Sequence, residues 1–471
     1  MISPSLHPGP VRAACVPRRR WAFGLTPRAV VLLAAGFLLL IPGFYVERFS
    51  YAMLLWDGLL LTAALLDGLR LPRAAKLIAE RSWISAPSLD SETEIELTIE
   101  NQGRVIVECR LIDDLPAALV GQPETHKLRV FPRAPAHLRY RVDPQERGDW
   151  ETGSLYVRYR SPLGLAERWA RAPLTQTVRV YPKLRTAEEQ QIFLARSRQI
   201  DLQLRQARQR GLGRDFESLR DYREGDDLRD VCWTATARRG ELITRQYQTE
   251  RSQPVWLVLD CGRLMRSRHQ PRWGQTSETQ GEGGHSKLDY ACSTAVALAQ
   301  LALYSGDRVG LLAYGQSIQQ RLLPGRGAAH LRQLIELLAQ VKVETSEADH
   351  LRATAVLNRL QPRRSLILWM TDLAETAMRP EVIDGAVQLL RRHVLLFVAM
   401  AQPEVEAIAK TRPRTVDQMF RSAAAQEMAG RRERLLARLH EQGALTLDLN
   451  PEALTPSVLN QYLMVKERAM V

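Results

Sequence analysis

Three aspartates are placed for chemistry. Asp260 closes the apolar run Val255–Leu259, Asp372 follows the run Ser365–Met370, and Asp289 falls between them. Open α/β sheets put their ligand sites at the carboxyl ends of strands, and three acids gathered there suit a two-metal hydrolase. Each acid also has a plainer reading. Asp289 lies early in a helix, where an acid complements the dipole, and Asp260 can accept hydrogen bonds from its own turn. Cys261 with His269 or His285 has the residue types of a thiol nucleophile and its base, but a cysteine at a strand end is also ordinary packing. Gly211, Gly213, Gly225 and Gly240 form no phosphate loop, because G-x-x-x-x-G-K-[ST] occurs nowhere. The expectation is a protein that is not an enzyme. A metal-dependent hydrolase built on Asp260 and Asp372 is the alternative.

A second stretch carries charge in bulk. Between Gly213 and Met265, Arg220, Arg223, Asp226, Arg229 and Arg238 interleave with Phe216, Tyr222 and Trp233. So many planar, forked donors either lock two domains together by ion pairs or capture a partner's carboxylates. The order F-x-x-L-R-x-Y at Phe216–Tyr222, then Gly225, Asp226, Arg229, Trp233, Ala237 and Arg238, then D-C-G-R-L-M from Asp260, resembles the bacterial family catalogued as domain of unknown function fifty-eight. R-G-D-W-E-T-G at Arg147–Gly153, S-P-L-G-L at Ser161–Leu165, V-R-V-Y-P at Val178–Pro182 and the closing Y-L-M-V-K-E-R resemble it too. The resemblance implies a partnership with a MoxR-type AAA ATPase, as an adaptor in assembling or activating other proteins. Arg263, beside Asp260, is the residue expected to meet that partner.

The elements that must position these residues are legible in the hydrophobic pattern. From residue 254 to 471, buried-type runs at Val255–Leu259, Val309–Tyr314, Ser365–Met370 and Val394–Met400 alternate with helical spacing over Lys287–Tyr304, Leu331–Val341, Leu351–Leu360 and Glu381–Arg391. That alternation predicts a parallel sheet covered by helices on both faces. A long helix over Val416–His440, a strand near Ala444–Leu449 and a last helix from Pro456 complete the unit. This order resembles a von Willebrand factor A-like domain, which commonly holds a divalent metal with D-x-S-x-S plus a Thr and a second Asp. Here the first motif reads Asp260, Cys261, Gly262, Arg263, Leu264, so both serines are absent. Asp372 stands for the late acid, and Ala348 takes the threonine's expected place, with Thr345 nearby. Mg²⁺ wants near-octahedral oxygen coordination. The expectation is therefore no cofactor, with Asp260 and Asp372 as a degenerate Mg²⁺ site at most.

Upstream, period-two patterning over 77–184, as in the E-I-E-L-T-I of Glu94–Ile99, predicts a β-sandwich. A charged segment, 188–253, links it to the α/β domain. Ala29–Val46 runs eighteen residues without a charge, and Phe49–Leu66 carries only Asp57, so residues 29–70 read as a two-helix transmembrane hairpin. Asp57 is costly inside a bilayer and reads as a bond across helices or within an oligomer. Arg18, Arg19, Arg20 and Arg28 precede the hairpin, and Arg70, Arg73 and Lys76 follow it, so both ends are expected in the cytoplasm. Residues 1–28 read as a disordered basic tail. The 471-residue chain has a formal net charge of +13, yet no nucleic-acid module appears and no nucleic acid is expected as a partner. Five scattered cysteines without a C-x-x-C pair fit a reducing compartment.

Overall fold

The computed structural model describes residues 8–18, 23–39, 41, 47–119, 124–161, 163–183, 191–199, 215–223, 231–248, 253–269, 284–373 and 381–468. It has a mixed α/β, multidomain architecture of two compact units, Met1–Lys183 and Leu184–Val471.

The second unit is built on a six-stranded sheet. Its strands are Pro254–Asp260, Arg308–Tyr314, Ile318–Gly325, Leu366–Thr371, Val394–Met400 and Leu445–Leu449. Numbered in that chain order, they lie side by side as 3-2-1-4-5-6. All neighbours are parallel except the third strand, which pairs antiparallel with the second. The central runs are apolar because helices cover both faces of the sheet, leaving no solvent side to alternate toward. Trp256, Trp369 and Phe397 anchor one face of the core. The antiparallel third strand was hidden in the sequence: its I-Q-Q-R-L-L-P-G lies at the sheet edge, where polar residues and Pro324 are tolerated. Arg268–His269 pairs antiparallel with His285–Ser286, on either side of residues 270–283, which lie outside the described residues.

In the first unit, two antiparallel sheets share a core. One is Val11–Ala14, Leu77–Trp83, Thr93–Asn101 and Pro135–Val142; the other is Val16–Pro17, Ala166–Ala172, Leu155–Arg160, Val107–Asp113 and Thr125–Val130, with Phe23–Leu25 added against Ala166–Ala172. Leu77, Leu97 and Ile99 from the first sheet meet Val107, Leu111 and Val157 from the second. The sheets are also joined by Arg81, fully buried, which grips Asp113 across the core and donates to Thr152 Oγ1 at 2.9 Å and Leu174 O at 3.0 Å. The expected disordered tail is corrected in its described part. Val11 and Ala13 face the core and Cys15 is wholly buried, a period-two pattern that the surrounding Pro and Arg conceal. All five cysteines are buried and none is in a disulfide; burial pushes the Cys15 and Cys109 thiols up to about 12, so neither is a nucleophile near neutral pH.

Among the described residues one helix, Tyr51–Arg70, is long and apolar enough to cross a membrane; it is the end of a helix that starts at Glu47. The Ala29–Val46 stretch instead gives a short helix, Pro27–Gly36, and a 3-10 turn, Phe37–Leu39; residues 40 and 42–46 lie outside the described residues. Trp56 Nε1 donates to Leu32 O at 3.1 Å, and Asp57 packs against Gly36, where a Cβ would stand 2.6 Å from Asp57 Oδ1. The loop Ser161–Leu165 holds both helices to the sheet. Thr26, the cap of the short helix, donates its hydroxyl to Gly164 O. Asp67 of the long helix is buried and accepts from Ser161 Oγ at 2.5 Å, Leu165 N at 3.2 Å and Ala166 N at 3.1 Å. Gly164 sits at φ +66, a left-handed conformation that glycine adopts without strain.

Asp67→Ala would leave one hydroxyl and two amides unpaired in a buried site, where each unmet group costs about 1–3 kcal/mol. Thermal unfolding of the full chain in neutral detergent is expected to show a clearly lower melting temperature, with Asp67→Asn falling between the two. An unchanged melting temperature in Asp67→Ala would deny that this carboxylate holds the helix.

Candidate functional site

Asp260 and Asp372 stand at the carboxyl ends of adjacent strands, Pro254–Asp260 and Leu366–Thr371. The sheet order reverses between these strands, which makes their shared end the topological switch point where α/β sheets place ligands. Both carboxylates are buried and both already have donors. The Gly262 amide donates to Asp260 Oδ1 at 2.7 Å, and the Thr371 hydroxyl to Oδ2 at 2.5 Å. Burial raises the Asp260 carboxyl above its usual range, with the neighbouring Asp372 adding to the rise and these two donors opposing it. Lys287 Nζ lies 2.6 Å from Asp372 Oδ2, with the lysine 2% exposed and the aspartate 0%. Gln402 Nε2 donates to the same oxygen at 3.1 Å, and Arg432 stands 3.5 Å from Oδ1.

Lys287 is the first residue of the helix Lys287–Tyr304. A cation there opposes the helix dipole, so the helix itself gains nothing from it. The capping box does suit the helix: Ser286 Oγ accepts from the Asp289 amide, while Asp289 Oδ2 accepts from the Ser286 amide at 3.0 Å. That box fixes the turn from which Lys287 reaches Asp372. It also accounts for Asp289, one of the three candidate acids, as a capping residue.

The segment after Asp260 is zipped to the loop before the His350–Leu360 helix. Glu344 N donates to Cys261 O at 2.7 Å and Arg263 N to Ser346 O at 3.0 Å. Gly262 lies so close to this loop that a Cβ on it would stand 2.9 Å from Ala348 N and 3.1 Å from Ala348 Cβ. A serine at 262 would displace backbone. Cys261 is wholly buried, its thiol 3.6 Å from Leu259 O. His269 and His285 face each other across their short ladder and both meet Tyr290 edge-on. Arg263 is exposed and pairs with Glu347 at 3.3 Å.

Of the other motif residues, Phe216 and Arg220 lie on the strand Asp215–Asp221, paired with Ile243–Gln248. The Tyr222 amide donates to Leu242 O at 2.8 Å. Trp233 starts the helix Trp233–Arg239 and is 65% exposed, and Arg238 sits in its last turn. Gly225, Asp226 and Arg229 lie outside the described residues.

Sequence reasoning missed the residues that neutralise Asp372. Gln402 and Arg432 also line a cavity of about 730 Å³ beside the helices Pro403–Lys410 and Val416–Glu441, where Arg432 reaches Asp448 at 2.6 and 3.1 Å. One signal was available: a lysine opening a helix, against the dipole. Deeper in, Trp369 Nε1 donates to Tyr314 OH at 2.7 Å, and Tyr314 OH lies 2.8 Å from His350 Nδ1. Burial lowers the His350 pKa, so a neutral ring accepts the tyrosine proton at Nδ1, which satisfies every donor in this chain of bonds.

Breaking a buried ion pair at one end costs about 3–5 kcal/mol. Lys287→Met is expected at the lower end of that range, because Gln402 and Arg432 remain near Asp372. Chemical denaturation should show the double variant Lys287→Met/Asp372→Asn recovering much of the loss. Strictly additive losses would deny the coupling.

Likeness to known proteins is partial. An uncharacterised protein of Mycobacterium tuberculosis is 26% identical over 185 residues, 37% of this chain and 54% of that protein. The uncharacterised protein YeaD of Bacillus subtilis is 27% identical over 143 residues, 28% of this chain and 34% of that protein. The chain thus spans about half or less of the length of these curated relatives. Among solved structures, the conserved hypothetical protein BatB of Bacteroides thetaiotaomicron aligns with 46% of this chain and 100% of its own, at 12% identity and a TM-score of 0.28. An uncharacterised membrane-spanning protein of Vibrio fischeri aligns with 44% of this chain and 96% of its own, at 14% identity and a TM-score of 0.17. Residues 218–418, from the strand that bears Arg220 to the first turn of the Val416–Glu441 helix and across both strand-end aspartates, match the family described as Protein of unknown function DUF58.

Proposed function

We propose that this chain is a membrane-anchored, non-enzymatic adaptor. Its α/β unit is a von Willebrand factor A-like domain that binds a protein partner, a MoxR-type AAA ATPase, in the assembly or activation of other proteins. The observation that carries the reading is the state of the two carboxylates at the switch point. Asp260 is taken up by Gly262 and Thr371, and Asp372 by Lys287, Gln402 and Arg432. Neither is presented to a substrate, so the surface rather than the buried site is what a partner can read. Arg263 and Glu347 stand on that surface.

The residues do not fit a divalent cation. An ammonium already supplies Asp372 with positive charge at 2.6 Å, and the approach of Gly262 to Ala348 leaves no room for a serine ligand. Among the described residues no group of three or more His, Cys, Asp or Glu side chains is arranged to hold a metal. The hydrolase alternative requires Lys287 to leave a buried carboxylate. The anchor is the Tyr51–Arg70 helix; a second span through residues 27–46 would put both ends, and both units, on the cytoplasmic side.

Two measurements test the reading. With millimolar Mg²⁺ or Mn²⁺, no melting shift is expected, whereas a ligand at a hundred times its dissociation constant would add about 2.7 kcal/mol; a shift lost in Asp260→Ala would restore the metal site. Charge reversal in Arg263→Glu is expected to abolish co-purification of the ATPase while leaving the melting temperature nearly unchanged, since exposed pairs contribute only about 0–1 kcal/mol. Undiminished co-purification would place the interface elsewhere. Hydrolysis by the chain alone that depends on Asp260 would make it an enzyme.

A further inference from the structure

The outward face of the sheet that contains Leu155–Arg160 carries two adjacent rows of charge with opposite characters. In one row Arg129 stands opposite Glu108, Glu108 opposite Arg160, and Arg160 opposite Glu167. Signs alternate there, and the pairs close: Arg129–Glu108 at 2.8 Å and Arg160–Glu108 at 3.0 Å. In the next row Lys127 stands opposite Arg110, and Arg110 opposite Arg158. Like charges directly opposite each other destabilise a sheet. Glu167 reaches diagonally to relieve Arg158, with bonds of 2.8 and 2.6 Å. Among the described residues, Arg110 and Lys127 have no carboxylate partner.

A third cation joins them from another element. Arg28, in the first turn of the Pro27–Gly36 helix, lies over Gly164 with its guanidinium 3.8 Å from where a Cβ would stand. It too has no carboxylate partner among the described residues. These side chains and the paired row line one cavity of about 560 Å³, with six basic residues against two acidic ones. Three separate elements therefore converge surplus positive charge on a space large enough for a small anion. Arginine forks match the oxygens of a phosphate.

We propose that this cavity binds a phosphate group, and that its source is the headgroup of an acidic lipid. The source follows from where the cavity lies, and it rests on the membrane reading given above. Pro27 and Arg28 form part of its wall, and Thr26 beside them donates to the same Ser161–Leu165 loop that Asp67 of the long apolar helix holds. The end of that helix and the cavity thus share one loop. Basic pockets beside membrane helices recognise anionic headgroups by charge and forked hydrogen bonding.

The test uses the full chain in neutral detergent, followed by tryptophan fluorescence and melting. It is titrated with micelles doped with phosphatidylglycerol, with micelles doped with phosphatidylcholine, and separately with inorganic phosphate. Saturable binding of phosphatidylglycerol and not phosphatidylcholine is expected, weakened by salt. Arg110→Gln/Lys127→Gln is expected to weaken it about thirtyfold, the effect of removing two charges near a membrane surface. Arg139→Gln, on the Pro135–Val142 strand of the other sheet and paired with Glu96 at 2.9 Å, removes an exposed charge outside the cavity and should bind nearly as the parent does. Binding of inorganic phosphate alone, with the same loss in the double variant, would support the site and assign its ligand to a soluble phosphate. Equal binding by the double variant and the parent, or no saturable binding of either anion, would overturn the proposal. Alkaline carbonate extraction of the chain from membranes separates the two readings: release would sink the anchor while the phosphate titration still decides the site.

Discussion

Between Lys287 and Asp372 lie 2.6 Å and almost no solvent. Taking an ammonium and a carboxylate out of water costs several kcal/mol each, and attraction offsets this only where geometry is good and the remaining hydrogen bonds are met. Here they are met by Gln402 and by the approach of Arg432. The consequence reaches the whole strand-end crevice. The sheet order creates a ligand position between the first and fourth strands, and the protein fills it with its own cation. Asp260, one strand away, is then held by a hydroxyl and an amide and carries its pKa upward with burial.

The first unit applies the same rule to different ends. Arg81 and Asp113 cross between two sheets, with Tyr140 donating to Asp113 at 2.5 Å and burial raising that phenol far above its usual range. Asp67 ends an apolar helix against three donors, two from one loop and one from the first residue of the strand that follows it. In each case a buried charge with a complete set of partners selects one arrangement of elements over its neighbours, because any slip would leave the charge unmet. Registry is the best-attested use of such pairs.

Much of the fold was legible because its determinants are local. Val255–Leu259 and Val394–Met400 are apolar throughout, which only a strand covered on both faces tolerates, and the capped helix Lys287–Tyr304 begins and ends where its spacing and Gly306 place it. Edges were harder. Ile318–Gly325 pairs on one side alone, so its polar residues and proline conceal a strand, and Val11–Ala14 is masked by flanking Pro and Arg. The short Pro27–Gly36 helix departs from the full-length span expected of Ala29–Val46, since hydropathy records apolar composition and not where the backbone stays helical. Of the site, the two aspartates were visible at the ends of their runs. Lys287 was not, because its partner lies 85 residues away and no periodicity links a helix's first residue to a distant strand end.

That invisible pairing separates what the chain keeps for itself from what it offers. Charges that are buried here come with partners drawn from distant sequence: Arg81 with Asp113, Asp67 with Ser161, Lys287 with Asp372. Exposed charges on the Val107–Asp113 and Thr125–Val130 strands divide instead into a row that compensates itself and a row that does not. These three buried pairs are met from within, whereas like charges stand side by side on one outer face of the first unit. On the function proposed above, recognition falls to the surface, where exposed Arg263 and, among the described residues, Arg110 and Lys127 without a carboxylate partner can each meet an opposite charge, while the crevice at the strand ends is taken up by Lys287.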